Sequence, residues 1–114
     1  MNNAIQEKSF HFAVRIVNLC KYLQSDHKEY LLSKQLMRSG TSIGANVSES
    51  QQAQSRPDFV NKLNIALKEA YETNYWLRLL HETKYLTDDA FLSIVADCQE
   101  LERLLISIVK TSKE

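Results

Sequence analysis

Small and apolar residues recur at alternating steps of four and three between residues 59 and 80. This period of 3.5 residues is typical of α-helices that pack side by side at a shallow angle, because one face of each helix then stays against its neighbour. The positions that carry the repeat are Phe59, Leu63, Ala66, Ala70, Thr73, Leu77 and Leu80. The repeat predicts a long, core-facing helix and favours a helical bundle.

The chain has too few turn-forming residues for a sheet of short strands. Only two glycines and one proline occur among 114 residues, and tight β-turns depend on these residue types. Hydrophobic residues make up 44% of the chain, which is enough for one core, and the length leaves no room for a second. We therefore expect a single all-α domain over residues 1–114.

Four segments have helical periodicity, and short connections join them. We expect helices over roughly 3–24, 27–54, 57–83 and 88–111. Helices joined by short connections run antiparallel to their neighbours in sequence. The predicted architecture is therefore an antiparallel, up-down-up-down four-helix bundle.

Polar residues mark the starts of three of these helices. Ser25 or Asp26 can cap the second helix, and Ser55 or Arg56 lies at the cap of the third, just before the only proline. Thr87 precedes two aspartates and supplies a cap for the fourth helix.

The first predicted helix carries two adjoining apolar stripes. One stripe consists of Ile5, Phe12, Ile16, Leu19 and Leu23, and the other of Phe10, Ala13, Val17 and Cys20. Apolar residues also lie off the main stripe of the fourth helix, at Val95, Leu104 and Val109. This apolar surface exceeds what one small bundle can bury, so we expect a cyclic homo-oligomer.

The charge balance argues against a general affinity for polyanions. The chain has 14 basic and 14 acidic residues, so it has no global field that would attract nucleic acid or an anionic membrane. The first half is more basic than the second, and an anionic partner would favour residues 1–57. No signal-like segment opens the sequence, and no apolar run approaches the roughly 18 residues of a membrane span. We expect a soluble, cytoplasmic protein without a membrane partner.

Residues that could carry catalysis or bind metals are scattered. Cys20 and Cys98 lie on apolar stripes far apart in sequence, so we expect buried free thiols. The histidines at positions 11, 27 and 81 form no inward Glu-x-x-His pair of the kind that di-iron bundles use. No nucleophile elbow or glycine-rich phosphate loop is present. The sequence therefore predicts no metal, no cofactor and no enzymatic activity.

Polar and small residues interrupt the apolar stripe of the second helix and recur on the third. We call this set the polar seam: Gln35, Arg38, Ser39, Ser42, Asn46, Glu49, Lys62, Glu69 and Glu72. If the chain turns back near residue 55, Arg38 lies level with Glu72 or Thr73, Ser42 with Glu69, and Glu49 with Lys62. The seam is either a ligand or nucleic-acid pocket, or a hydrogen-bonded layer that fixes the register of the helices. The spacing of opposite charges favours the layer, because partly buried charges need partners.

A polar, partly basic stripe on the first helix, with further lysines near it, is a candidate nucleic-acid patch. Its members are Lys8, His11, Arg15, Lys21, Lys28 and Lys34. Such residues could bind phosphates, but an exposed helix face has the same composition. Tyr71, Tyr75 and Arg78 lie along one flank of the third helix, with Trp76 on another, where packing is the commoner role and base stacking the alternative.

The motifs of the second and third helices resemble a known bacterial family. They are Gln35-Leu36-x-Arg38-Ser39-x-x-Ser42-Ile43-x-x-Asn46-Val47-x-Glu49 and Phe59-x-x-Lys62-Leu63-x-Ile65-Ala66-x-x-Glu69-Ala70-x-Glu72-Thr73-x-Tyr75-Trp76-Leu77. They are similar to the "four helix bundle protein" family, also called the 23S rRNA intervening-sequence protein family. Some of its members are encoded inside insertions in large-subunit ribosomal RNA genes.

The resemblance implies a left-handed bundle that assembles as a homopentamer and has no established enzymatic activity. A related protein is the accessory protein of diversity-generating retroelements, a strongly basic pentamer that binds RNA and a reverse transcriptase. Two function classes follow. The first is a non-enzymatic oligomeric scaffold that presents a surface to a protein partner, and the alternative is an RNA-associated accessory protein.

Overall fold

The computed structural model describes residues 3–113, so the predicted domain ends at residues 1 and 114 lie outside it. The helices are α1 (Asn3–Asp26), α2 (Leu31–Ser50), α3 (Arg56–Glu82) and α4 (Asp88–Lys113), and no strand occurs within the described range. Each helix packs against the next in sequence, and α4 returns to α1. The bundle measures 45 × 20 × 19 Å. The predicted all-α four-helix bundle is confirmed.

Three helices lie close to their predicted bounds, whereas α2 is shorter at both ends than the predicted 27–54. At its first end, α2 begins later than predicted because of a cap that the sequence reasoning missed. The carboxylate of Glu29 accepts hydrogen bonds from the backbone nitrogens of residues 31, 32 and 33, at 3.2, 3.0 and 2.7 Å. A carboxylate bound to free N–H groups stabilises the first turn of a helix. The side chain that caps α2 is therefore that of Glu29, one residue before the N-cap residue Tyr30, and the expectation of Ser25 or Asp26 was wrong.

The other two caps agree with the sequence. The hydroxyl of Ser55 accepts a hydrogen bond from the backbone nitrogen of Asp58 at 3.2 Å. The hydroxyl of Thr87 accepts one from the nitrogen of Ala90 at 3.2 Å. Both hydroxyls satisfy backbone donors that have no partner within the helix.

A lysine in the left-handed backbone region ends α3. Lys84 has φ 72°, and the nitrogen of Tyr85 donates to the carbonyl of Leu80 at 2.9 Å while that of Lys84 donates to His81 at 3.1 Å. This is the Schellman arrangement, in which glycine is the usual residue at the left-handed position. Lys28, between α1 and α2, also has a positive φ, of 54°.

The core follows the sequence periodicity, with exceptions at the ends of the stripes. Of the seven predicted positions of α3, Phe59 is partly exposed and the other six are buried. In α4 the buried positions include Ile94, Cys98, Leu101 and Leu105. Val95 and Val109 are buried as well, so the expectation that a single bundle leaves them uncovered was wrong. The second stripe of α1 does not face the core as a whole, because Cys20 is buried but Phe10 is 71% exposed.

The helices α1 and α2 approach each other closely at Gly40. A Cβ atom built on Gly40 would lie 2.8 Å from Cγ1 of Ile16, well inside normal van der Waals contact. The absence of a side chain at this position lets α1 pack tightly against α2.

Candidate functional site

Arg38 lies at the centre of the polar seam and joins α2 to α3. Its guanidinium donates to Glu69 (Nη1 to Oε2, 3.2 Å) and to Glu72, and its Nε donates to Oε1 of Gln35 at 3.4 Å. The side chain of Arg38 is 49% exposed, and those of Glu69 and Glu72 are 17% and 34% exposed. The pairing of Arg38 with Glu72 that the spacing predicts is present, and it lies at the surface of the bundle.

A buried hydroxyl pair lies beneath this charged cluster. The hydroxyls of Ser39 and Thr73 are 2.9 Å apart, and Thr73 donates to the carbonyl of Glu69 at 2.8 Å. Both side chains are fully buried. This buried polar contact fixes the register of α2 against α3, because a shift would leave buried hydroxyls unpaired.

Trp76 belongs to the seam, although sequence reasoning placed it on another flank of α3. Its indole nitrogen donates to Oε2 of Glu72 at 2.9 Å. The signal that could have found it is the spacing of four residues, which places Trp76 one turn after Glu72 on the same face. The Glu72 carboxylate thus binds an arginine and a tryptophan together.

The remaining seam residues lie towards the end of α2. The hydroxyl of Ser42 donates to the carbonyl of Arg38 at 2.6 Å, and the amide of Asn46 donates to the carbonyl of Ser42 at 2.8 Å. These side chains bond to their own helix. Glu49 and Lys62 form the second predicted pair, with 3.1 Å between Oε1 and Nζ.

The charged residues of the seam neutralise one another. Its three ion-pair contacts join the charged residues of the seam to one another. Across residues 3–113 no buried side-chain nitrogen or oxygen is left without a hydrogen-bond partner. In the same range no group of three or more His, Cys, Asp or Glu side chains could hold a metal ion.

The two cysteines are buried free thiols, as the sequence predicts. Burial, together with the charge of Glu29, raises the pKa of Cys20 to about 11. Burial raises the pKa of Cys98 further, with a smaller contribution from Glu102. Both thiols therefore stay protonated at neutral pH, and they donate to the carbonyls of Ser33 and Ala70 at 3.3 Å.

The structure splits the candidate nucleic-acid patch into two parts. Lys8 pairs with Glu100 (3.1 Å), and Arg15 pairs with Asp97 (2.6 Å) and donates to Ser93 Oγ (3.0 Å). These two cations bridge α1 to α4. A small groove lies beside these ion pairs, and His11, Asp97 and Glu100 line it.

The other part of the patch lies at the opposite end of α1. Lys21 and Lys34 are exposed, and Nζ of Lys28 donates to the carbonyl of Ser25 at 2.9 Å. Tyr22 and Tyr30, which are close to these lysines in sequence, are also exposed. The six residues thus do not form one continuous surface.

A groove of about 450 Å³ lies where α3 meets α4. Its lining residues are Tyr75, Arg78, Leu79, His81, Glu82 and Phe91. The ring of His81 stacks on Phe91 with centroids 4.1 Å apart, and Nε2 of His81 lies 2.7 Å from a carboxylate oxygen of Asp88. The guanidinium of Arg78 lies 5.9 Å from the ring centre of Tyr75.

No described helix is both long enough and apolar enough to cross a membrane.

Comparison with known proteins identifies the family of this chain. The family model of the 23S rRNA-intervening sequence protein matches residues 1–107. A solved structure from Bacteroides thetaiotaomicron VPI-5482, of a protein with unknown function from the S23 ribosomal protein family, has a TM-score of 0.94. It is 60% identical, and the match covers 95% of this chain and 96% of that one. Among curated proteins, none matches. The chain belongs to the 23S rRNA-intervening sequence protein family, and the resemblance seen in the helix motifs is confirmed.

Proposed function

We propose that this chain is a non-enzymatic scaffold that assembles as a homopentamer and presents a surface to a protein partner. The observation that carries the proposal is the apolar surface left uncovered by the single bundle. Phe10, Leu31 and Leu92 are 71%, 81% and 62% exposed. Uncovered apolar side chains on long helices favour association, because burying each one removes apolar area from water.

The polar seam supports the same proposal. Its charged groups bind one another, and its hydroxyls and amides bond within the bundle. A rigid α2–α3 pair gives an oligomer a fixed surface, which suits a scaffold.

The proposal includes a cytoplasmic location. The supporting observation is the pair of unbridged thiols at Cys20 and Cys98, because reduced cysteines are the norm in that compartment.

Light scattering coupled to size exclusion tests the assembly. At micromolar concentration we expect about five times the chain mass of 13.2 kDa. A monomer under these conditions would contradict the scaffold proposal. Affinity capture from the native host, with protein and RNA both identified, would then establish the partner.

An RNA-associated accessory role is the second candidate, and one observation favours it. The exposed residues Lys21, Lys28, Lys34, Tyr22 and Tyr30 belong to the end of α1, the start of α2 and the connection between them. Cations that bind phosphates beside rings that stack on bases are typical of surfaces that bind single-stranded nucleic acid. The ion pairs of Lys8 and Arg15 remove those two side chains from such a surface.

Gel shifts at about 50 and 200 mM salt test the second candidate, because phosphate-driven binding weakens steeply over that range. We expect weak, salt-sensitive binding that Lys28→Glu with Lys34→Glu abolishes. Lys8→Glu with Arg15→Glu is the comparison, and on this surface it should have the smaller effect. Absence of binding at low salt would leave the scaffold role alone.

A further inference from the structure

The outer face of α1 carries a strip with an acid at one end and a base at the other, in which four of the five residues are exposed and Val17 is half-buried. We call it the α1 strip: Glu7, Phe10, Val14, Val17 and Lys21. Its members alternate steps of three and four, so they lie on one side of the helix. Phe10 is 71% and Val14 is 43% exposed. Within residues 3–113 neither Glu7 nor Lys21 has an ion-pair partner.

A second strip with the same spacing runs along the outer face of α4. We call it the α4 strip: Asp89, Leu92, Ala96, Gln99 and Arg103. All five are exposed, and Leu92 is 62% exposed. Asp89 and Arg103 likewise have no ion-pair partner in the described part of the chain.

The two strips lie at matching heights in the bundle. The ion pairs between α1 and α4 show which residues of the two helices lie level. The residue numbers of Lys8 and Glu100 add up to 108, and those of Arg15 and Asp97 add up to 112. Residues of α1 and α4 whose numbers add up to about 110 therefore lie level, to within about one residue rise along the axis.

On this scale each end of one strip lies level with an opposite charge on the other. Glu7 is level with Arg103, Lys21 is level with Asp89, and Val14 is level with Ala96. The apolar middle of the α1 strip is thus level with the middle of the α4 strip.

We propose that the α1 strip of one copy packs on the α4 strip of a second copy, with both copies pointing the same way. This inference rests on the proposed self-assembly and names its surfaces. A rotation about an axis parallel to the helices keeps every residue at its own height. The level charges Glu7 and Arg103, and Lys21 and Asp89, then meet across the contact. Because the two surfaces differ, the contact is heterologous and repeats from copy to copy until the ring closes.

A two-fold contact between two α1 strips is the competing arrangement. It also pairs Glu7 with Lys21, and it places Val14 against Val14. It would leave Leu92 uncovered, however, and it does not require the α4 strip to be level with the α1 strip. The matching heights are a requirement only of the heterologous contact.

Charge reversal distinguishes these arrangements without changing net charge. One variant carries Glu7→Arg and Lys21→Glu, a second carries Asp89→Lys and Arg103→Glu, and a third carries all four changes. Each two-residue variant places like charges together, so we expect its assembly to dissociate at a concentration at least about tenfold higher than wild type. The four-residue variant restores both pairs and should recover most of the loss.

The matched control reverses Lys68 and Glu82, an exposed pair on α3 with the same separation of fourteen residues. Lys68→Glu with Glu82→Lys should leave the assembly unchanged. Circular dichroism melts check that each variant is folded, and sedimentation velocity on a dilution series measures dissociation.

Two results would overturn the inference while the proposed self-assembly stands. One is an oligomeric wild type whose Glu7→Arg, Lys21→Glu variant assembles equally well, as the two-fold contact predicts. The other is a four-residue variant no better than either two-residue variant. A monomeric wild type would instead contradict the proposed function and this contact with it.

Discussion

At the scale of single residues, the exposure of Arg38 decides how much its ion pairs contribute to stability. Two carboxylates and a glutamine surround its guanidinium, but half of the side chain is open to solvent. Exposed ion pairs contribute little, because water screens the attraction and the ordering of long side chains costs entropy.

Arg38→Ala should therefore lower the free energy of unfolding by about 1 kcal/mol or less, whereas removal of one partner from a fully buried pair costs about 3 to 5 kcal/mol. Thermal and urea unfolding measure the difference, with Lys34→Ala as an exposed control. A loss of several kcal/mol would show that assembly buries Arg38. If Arg38→Ala unfolds like the wild type but no longer binds the partner, the seam has a binding role.

At the scale of the helices, the connections contain a strained backbone position and a charged contact that the helical periodicity does not predict. Lys84 ends α3 in a backbone conformation that costs residues with a side chain more than glycine. His81 ties the end of α3 to the start of α4 through Asp88.

Lys84→Gly should raise the free energy of unfolding by about 0.5 to 1 kcal/mol, because glycine has no Cβ penalty at a positive φ. The matched control is Lys34→Gly, which lies inside α2 and should cost about 1 kcal/mol. Chemical denaturation of both variants is the measurement. Destabilisation by Lys84→Gly would mean that the lysine side chain contributes more than the strain removes.

The pH dependence of stability should reveal the contact between His81 and Asp88. The hydrogen bond from His81, then the charge of His81, hold the pKa of Asp88 below its ordinary value of 3.8. A carboxyl whose pKa is lower in the folded state stabilises the fold above its ordinary pKa and loses that contribution as pH falls through the lowered value.

Melting temperatures of wild type and Asp88→Asn should therefore differ above about pH 4 and converge as pH falls towards 2. Glu82→Gln is the control, because Glu82 is exposed, lies outside the proposed contact and has no ion-pair partner among the described residues. A difference that persists undiminished to pH 2 would rule out this linkage.

At the scale of the whole molecule, the core protects both thiols. Cys20 and Cys98 lie on different helices, and both are fully buried. Reaction requires a thiolate that a reagent can reach. At pH 8, a pKa of about 11 leaves Cys20 only about one thiolate per thousand molecules.

Labelling of the native chain by a thiol reagent should therefore be limited by opening of the bundle. We expect the labelling rate at pH 8 to rise steeply across the urea unfolding transition. Ser107→Cys adds an exposed thiol on α4 and should label rapidly without denaturant. Equally rapid labelling of the wild type would show that the bundle opens locally.

Sequence by itself determined the helices and most of their inward faces. Of the seven core positions that the period of 3.5 residues predicted in α3, six are buried, because the pattern that places residues on one face is local. Local spacing also predicted the pairs Arg38–Glu72 and Glu49–Lys62, since one short turn fixes the heights of two adjacent helices.

Only the tertiary structure decided which partners distant side chains meet. The carboxylate of Glu29 caps α2 because the connection folds it back onto the helix. The helix propensities of single residues do not predict that path of the chain. Lys8 and Arg15 have acidic partners more than eighty residues away on α4. A helical period predicts the face on which a charge lies, but whether that charge is free or paired depends on which helix the fold places beside it.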